Sequence, residues 1–170
     1  MQDRELVLRF MAYQILSPND YKSSMSQFLD MAMEKLGESE GLYDELERKF
    51  KLSLLISEEI FGEHAFSKSI RSGNNSFNRT LYEVWTYYFS FFTVDQRNTL
   101  GKKKDAFIDD FKELLTEAKF DDAITFASAT TTKVLYRFAE ISKLIQMYIP
   151  DFNYLWQKQK DDQETKYQEL

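Results

Sequence analysis

Residues 3–16, DRELVLRFMAYQIL, place the strongest constraint on how this chain can fold. After its charged start the segment is almost wholly apolar, and helical spacing would put apolar side chains on nearly every face. A helix of that kind belongs inside a domain rather than on its surface. Its one central charge, Arg9, follows Glu5 by four residues, so the guanidinium and the carboxylate share a face and can pair. The segment therefore predicts a buried helix that carries an ion pair.

The scarcity of chain-breaking residues extends this expectation to the rest of the chain. The 170 residues include five glycines and two prolines, too few for the turns of a many-stranded β protein. Apolar residues recur at helical spacing along the chain, which predicts an all-α multi-helix bundle of about six to seven helices. We expect one helical domain over residues 1–156 and a polar tail over residues 157–170, either a frayed helix or disordered.

Caps and glycines predict where the first helices begin and end. Ser17 followed by Pro18 indicates the start of a second helix, because serine caps well and proline fits the first helical position. Gly37 would end this helix as a C-terminal glycine. Ser39 is a candidate cap for a third helix, which Gly62 would end.

Farther along, predicted helices alternate with polar connections. Residues 63–76 form the one long surface loop, with a turn at Gly73-Asn74 and room for a short helical turn. The aromatic block at 77–92 has helical spacing, although aromatic residues also favour strands. Thr93-x-x-Gln96 is a possible capping box, and a short turn after it would end near Gly101. Further helices are expected over roughly residues 103–118, 120–127 and 131–148, the last ended by Pro150, with apolar residues at 151–156 that could dock on the core.

The sequence contains no constellation of catalytic or metal-binding residues. The chain has no cysteine, which excludes disulfides, thiolate zinc sites and a cysteine nucleophile. The one histidine, His64, fits a surface or helix-end position better than a catalytic one, since no supporting residues surround it. Adjacent acidic pairs such as Asp109-Asp110 diverge on a helix and do not form a catalytic dyad. We therefore expect no catalytic, cofactor-binding or metal-binding residue in this chain.

Charge and hydropathy limit the classes of partner. The net charge of −6 argues against nonspecific nucleic-acid binding by this chain alone. The one basic run, Lys102-Lys103-Lys104, is followed directly by acidic residues and indicates a mixed surface rather than a phosphate patch. No segment has the apolar length of a membrane span, and the start does not resemble a secretory signal. These patterns are typical of a cytoplasmic protein without a membrane partner.

Three arginines lie in apolar contexts: Arg9, Arg79 and Arg137. An unpaired charge there would be costly, so each should find a carboxylate or a carbonyl partner. One interpretation is a set of structural ion pairs such as Glu5–Arg9 and Arg137–Glu140. The other is a cleft that faces another domain or a phosphate. We therefore take Glu5 and the three arginines as candidate interdomain or structural charge sites.

The chain resembles the helical part of DUF262 proteins, the ParB/sulfiredoxin-like family that includes the GmrSD-type restriction enzymes. Its opening matches that family's Asp-x-Glu-Leu-x-Leu-Arg-Phe-x-Ala run. Further matches are a tyrosine-containing segment with a Phe-Leu helix, a Phe-Asn segment before an aromatic helix, and a closing Thr-rich turn with an arginine helix. The residues that carry the resemblance are Asp3, Glu5, Leu6, Leu8, Arg9, Phe10, Ala12, Tyr21, Phe28-Leu29, Phe77-Asn78-Arg79, Thr130-Thr131-Thr132 and Arg137-Phe138.

The chain also departs from the family's pattern. It lacks the Asp-Gly-Gln-Gln-Arg motif of the N-terminal ParB-like domain, and it lacks a histidine-rich HNH-type nuclease domain. The resemblance therefore implies the helical portion alone, from a truncated, split or excised protein. It implies NTP-dependent recognition or cleavage of DNA, often modified phage DNA, in complete relatives. No catalytic residue carries over to this chain, and whether the chain alone is an enzyme is left open.

The expected function is a non-catalytic accessory domain that packs against a ParB-like domain, in cis or in trans. Nucleic acid would be contacted only through the complete protein. An apolar patch exposed by loss of that domain could drive self-association. The alternative is an independent α-helical protein-protein adaptor with no nuclease relation, which could form a homodimer.

Overall fold

The structure of the chain, a computed structural model, describes residues 2–38, 41–72 and 76–152. Within these ranges there are nine α-helices and no strand, only an isolated β-bridge between Ser67 and Phe77. The all-α multi-helix bundle is thus confirmed. The helices are α1 (Gln2–Ile15), α2 (Met25–Gly37), α3 (Leu42–Phe61), α4 (Ser69–Ser72), α5 (Arg79–Phe89), α6 (Val94–Lys102), α7 (Lys104–Leu114), α8 (Ala118–Thr125) and α9 (Thr131–Tyr148).

The aromatic helix α5 is the centre of the bundle. All of its residues after Arg79 are buried, and it packs against α1, α3, α8 and α9. Its Trp85 ring stacks on Phe89 with centroids 5.2 Å apart and meets Phe111 of α7 edge to face at 5.1 Å. Such offset and edge contacts are the favoured aromatic geometries. The helical prediction for this block is therefore confirmed, because its side chains fill the core from every side.

The opening helix α1 is less enclosed than its composition predicts. Phe10, Ala12 and Tyr13 are buried, but Val7 is 38% exposed, and Met11 is only half-buried. The helix packs on α2, α5 and α3, and these neighbours leave one side open. The expectation of a helix buried all round is thus wrong, because α5 takes the central position.

The second helix begins later than predicted. Ser17 forms a capping box with Asp20, but the helix it caps is a short 3-10 helix, Pro18–Asp20. α2 begins at Met25, where the Ser24 side chain accepts a hydrogen bond from the Gln27 amide. The intervening chain is held against the start of α9: the Tyr21 hydroxyl donates to the Ala129 carbonyl at 2.8 Å. A continuous helix would break that contact.

The glycine predictions have different outcomes. Gly62, with a φ of 57°, ends α3 as expected. Gly37 is instead the last residue of α2. Gly41, with a φ of 90°, precedes α3 without a side-chain cap, and Ser39 lies outside the described residues. The proposed turn at Gly73-Asn74 also lies outside them.

The later boundaries follow the sequence closely. The capping box of Thr93 and Gln96 is confirmed at the start of α6, and α9 has the predicted bounds. The helix expected to reach residue 118 ends at Leu114, where α7 stops and α8 begins a few residues on. Phe152 is buried against Tyr88 and Phe92. This part of the segment after Pro150 thus packs on the core, as the sequence predicted. Residues 153–170, which include the predicted tail, lie outside the described ranges.

Candidate functional site

Glu83 is a carboxylate buried at the centre of the bundle. It lies on α5, and the residue is 2% exposed. Its Oε1 accepts a hydrogen bond from Arg9 Nη1 of α1 at 2.5 Å, and its Oε2 accepts one from Arg137 Nη2 of α9 at 2.8 Å. A buried charge is tolerated only when it is paired and hydrogen-bonded. One carboxylate therefore ties α1 and α9 to the central helix.

Arg9 links this buried pair to the surface. Its Nε and Nη2 donate to Glu5 Oε1 at 3.0 and 2.8 Å, which confirms the predicted Glu5–Arg9 pair. The hydrogen bond and charge of Arg9 lower the pKa of Glu5. Burial alone would lower the pKa of Arg9, but Glu83 and Glu5 outweigh it, and the pKa is raised. The guanidinium is thus held charged between two carboxylates.

Arg137 is the most enclosed of the three arginines, at 1% exposure. Besides Glu83, it donates from Nη1 to the Ser128 carbonyl at 2.5 Å. The predicted Arg137–Glu140 pair is wrong, since Glu140 pairs with Lys143 at 2.8 Å. Within the described residues, Arg137 Nε has no hydrogen-bond acceptor although it is buried. One donor of this guanidinium is therefore left without an acceptor in the described ranges.

Arg79 stands at the surface end of the same cluster. It is the first residue of α5, its side chain is 47% exposed, and its Nη1 lies 3.6 Å from Glu5 Oε1. That distance is an ion pair rather than a hydrogen bond. The first amides of α5 are capped separately, because Asn78 Oδ1 accepts from the Thr80 and Leu81 amides at 3.0 Å. The positive charge of Arg79 is therefore only partly neutralised within the cluster.

These side chains line one cavity of about 220 Å³, called here the arginine cavity. It is half open to solvent, and its lining residues are Arg9, Met25, Arg79, Thr80, Glu83, Ser128, Ala129 and Arg137. Glu5 is not a lining residue, but it forms ion pairs with two of the lining arginines, Arg9 and Arg79. All four charge sites singled out in the sequence thus come together, from α1, α5 and α9. Among the residues that the structure describes, three guanidiniums face two carboxylates, which leaves one positive charge in excess.

Two exposed aromatic residues each precede a lining residue of this cavity by two positions, Phe77 before Arg79 and Phe126 before Ser128. Phe77 is 53% exposed and Phe126 is 72% exposed. Asn78 Nδ2 and Thr80 Oγ1 both donate to the Ile124 carbonyl, at 3.0 and 2.9 Å. These bonds bring the start of α5 against the end of α8, so both aromatic residues lie within two positions of the joint. We call Arg79, Phe77, Phe126 and the cavity mouth the arginine face.

Two other cavities have different chemistry. An apolar groove of about 210 Å³ lies between α1 and α3, lined by Val7, Phe10, Met11, Tyr43, Leu46, Glu47 and Phe50. An open cavity of about 650 Å³ is lined by Glu59, Ile60, Arg97, Asn98, Gly101, Lys102 and Lys104. In the open cavity Arg97 pairs with Glu59, and Lys104 donates to the Glu59 carbonyl at 2.7 Å. The lysine run thus lies on a mixed surface, as its sequence context predicts.

His64 does not belong to the arginine cavity. It ends the short 3-10 helix Gly62–His64, and its Nδ1 lies 2.8 Å from Ser69 Oγ. This is the helix-end position predicted for it. In the part of the chain that the structure describes, no three acidic, histidine or cysteine side chains cluster as a metal site would require. None of the described helices is both long enough and apolar enough to cross a membrane.

The sequence did not point to Glu83 or to the Ser128 carbonyl. Glu83 is the only acidic residue in the aromatic helix α5, and a lone carboxylate in an apolar helix needs a buried cation. The lone acidic residue in an apolar helix was therefore a signal that sequence reasoning could have used. The partners of Glu83 could not be predicted from the sequence, because Arg9 and Arg137 lie 74 and 54 residues away along the chain.

Comparisons with models of known protein families, with curated proteins and with solved structures found no match. The geometry of the arginine cavity and the resemblance in the sequence are therefore the two grounds on which a function can be proposed.

Proposed function

We propose that this chain is the helical accessory domain of a DUF262-like, NTP-dependent DNA restriction or phage-defence protein. It would have no catalytic site or cofactor of its own, would pack against a ParB-like domain in cis or in trans, and would act in the cytoplasm. The arginine face is the observation that supports this proposal. It combines an exposed guanidinium at a charged cavity with two exposed aromatic residues that lie two positions before lining residues.

The composition of the face favours a protein partner. Arginine and aromatic residues are enriched in protein interfaces and contribute much of the binding energy there. The face carries one excess positive charge, so a partner surface with an acidic group would complement it. DNA would be reached only through the complete protein, since the chain has a net charge of −6, which repels a polyanion.

Charge reversal at the face tests this proposal. The ParB-like domain with the Asp-Gly-Gln-Gln-Arg motif, if encoded beside this chain, is expressed and titrated against it by calorimetry. Arg79→Glu should weaken binding by about tenfold or more, because a central arginine and its charge are lost. Lys102→Glu makes the same change of charge beside the open cavity, and it should leave the affinity nearly unchanged.

Circular dichroism of both variants checks that the fold is kept. Equal affinities for folded Arg79→Glu and wild type would contradict the docking role of the face. The absence of a neighbouring frame with that motif would count against the family assignment itself.

The alternative proposal is an independent adaptor, and the apolar groove between α1 and α3 favours it. Val7 and Tyr43 line the groove and are 38% and 57% exposed. A second copy of this chain would be its occupant, placing the exposed Tyr43 of each copy against the groove of the other. Light scattering should then give a dimer that Tyr43→Glu dissociates, and a wild-type monomer would contradict this pairing of two copies.

A further inference from the structure

The geometry points to the arginine cavity as a binding site for one small oxyanion, a phosphate or a carboxylate. This inference goes beyond the proposed function because it requires no partner protein. It rests on three properties of the cavity: its charge, an unused buried donor, and its size.

The described residues do not balance the charge of the cavity. Both oxygens of Glu83 are occupied, one by Arg9 and one by Arg137. Glu5 is shared between Arg9, at 2.8 Å, and Arg79, at 3.6 Å. Two carboxylates thus serve three guanidiniums, and the surplus charge lies at the mouth with Arg79. A bound monoanion would neutralise it.

One buried donor lacks an acceptor in the part of the chain that the structure describes. Arg137 is 1% exposed and lines the cavity, yet its Nε has no acceptor among the described residues. A buried N–H without an acceptor costs about 1–3 kcal/mol. An oxyanion accepts such a bond well, because charge-assisted hydrogen bonds to guanidinium are short and strong. The helix terminus of α5 does not supply this chemistry, since Asn78 already caps its amides.

The cavity has room for one oxyanion group. Its volume is about 220 Å³, whereas a single water needs only about 10–15 Å³ of such space. Sites for drug-sized molecules usually span about 300–1,000 Å³. A phosphate or a carboxylate therefore fits better than a whole nucleotide. Its oxygens would bind Arg79 at the mouth. The Arg137 Nε–H is closed to solvent in this structure, so the ligand would reach it through a small shift of the lining side chains.

Nuclear magnetic resonance of the arginine Nε–H groups tests this site directly on the chain alone. The ¹⁵N-labelled protein is titrated with sodium phosphate and, separately, with sodium acetate, while sodium chloride keeps the ionic strength constant. We expect a saturable shift of the Arg137 Nε–H signal with at least one of the two oxyanions. The tighter of the two identifies the class of ligand. A chloride titration should give no saturable shift.

Matched neutral variants show whether the arginines form the site. Arg79→Gln should raise the dissociation constant by about tenfold or more, because it removes a charge-assisted hydrogen bond. Lys102→Gln removes an equal charge beside the open cavity and should leave the constant unchanged. Arg79 is half-exposed, so its variant should keep the fold. No saturable shift with either oxyanion, an equal shift with chloride, or equal constants for Arg79→Gln and wild type would each overturn the inference.

The outcome does not depend on the accessory-domain proposal. If the oxyanion binds but the ParB-like domain does not, the site stands and the docking proposal fails. If the domain binds and the Arg137 signal never responds, the docking proposal stands and the oxyanion site fails.

Discussion

At the scale of single residues, the fold depends on one buried carboxylate. Glu83 accepts hydrogen bonds from arginines of two different helices, so three helices meet at its side chain. Placing a carboxylate there costs desolvation energy, which the two guanidiniums offset only while the charge is present. The cluster therefore fixes how α1 and α9 sit on α5, and with them the arginine cavity.

Removing this charge should destabilise the protein strongly. Glu83→Gln keeps the shape of the side chain but leaves the buried Arg137 without a carboxylate and Arg9 with Glu5 alone, and it should cost about 3–5 kcal/mol of unfolding free energy. Urea denaturation followed by circular dichroism measures this loss. The control is Glu47→Gln, which breaks the exposed Glu47–Lys51 pair and should leave the urea midpoint unchanged. Similar midpoints for the two variants would contradict the structural role of Glu83.

Buried tyrosines should make the fold sensitive to alkaline pH. Burial, followed by the charge of Glu83, raises the pKa of Tyr13 well above its ordinary value of 10.0. A group whose pKa is raised by folding contributes stability that is fully present below its unfolded pKa and is lost as the pH rises from that value through the raised pKa of the folded state. Urea midpoints should therefore fall above pH 10.0, and less steeply in Tyr13→Phe. Parallel pH profiles of the variant and wild type would refute this.

The sequence predicted half of this cluster for a physical reason. Glu5 and Arg9 are four residues apart on one helix, and that spacing alone brings them together. The same rule applied to Arg137 and Glu140 failed, because the buried Glu83 is a stronger partner than a residue near the surface. A partner 54 residues away depends on how α5 and α9 pack. Local spacing carries no information on that packing.

At the scale of helices, two of the C-terminal ends carry a glycine, and the two glycines have different conformations. Gly62 has a φ of 57° and a ψ of −133°, a conformation that side chains other than glycine rarely adopt. Gly37 is the last residue of α2, and a Cβ added there would meet no atom within 4 Å. The same substitution should therefore have opposite effects at the two positions.

Alanine at each glycine tests this difference. Gly37→Ala should stabilise the protein by about 0.5–1 kcal/mol, because alanine loses less backbone entropy in a helix. Gly62→Ala should destabilise it by about 1–3 kcal/mol through backbone strain. Thermal and urea unfolding measure both changes. A destabilised Gly37→Ala or a neutral Gly62→Ala would show that the helix ends are assigned wrongly.

The sequence predicted helices better than their starting points. The Thr93 capping box and the bounds of α9 could be read directly, since caps and spacing act within a few residues. Pro18 misled because a serine-proline start fits a single 3-10 turn as well as a long helix. What ends that turn is the contact of Tyr21 with the Ala129 carbonyl, 108 residues away.

At the scale of the whole molecule, a continuous buried core lies beneath surfaces that leave large apolar side chains exposed. The core is continuous and centred on α5. Large apolar side chains nevertheless remain exposed at the arginine face and beside the α1–α3 groove, among them Phe77, Phe126 and Tyr43. Such residues can drive self-association when a natural partner is missing.

The mass of the chain in solution tests the accessory-domain proposal most directly. By light scattering coupled to size exclusion, the chain alone should give masses above 20.2 kDa that grow with concentration. Adding the ParB-like domain should replace these species with one complex of defined mass. A folded monomer of 20.2 kDa at every concentration, unchanged when the domain is added, would contradict the proposal.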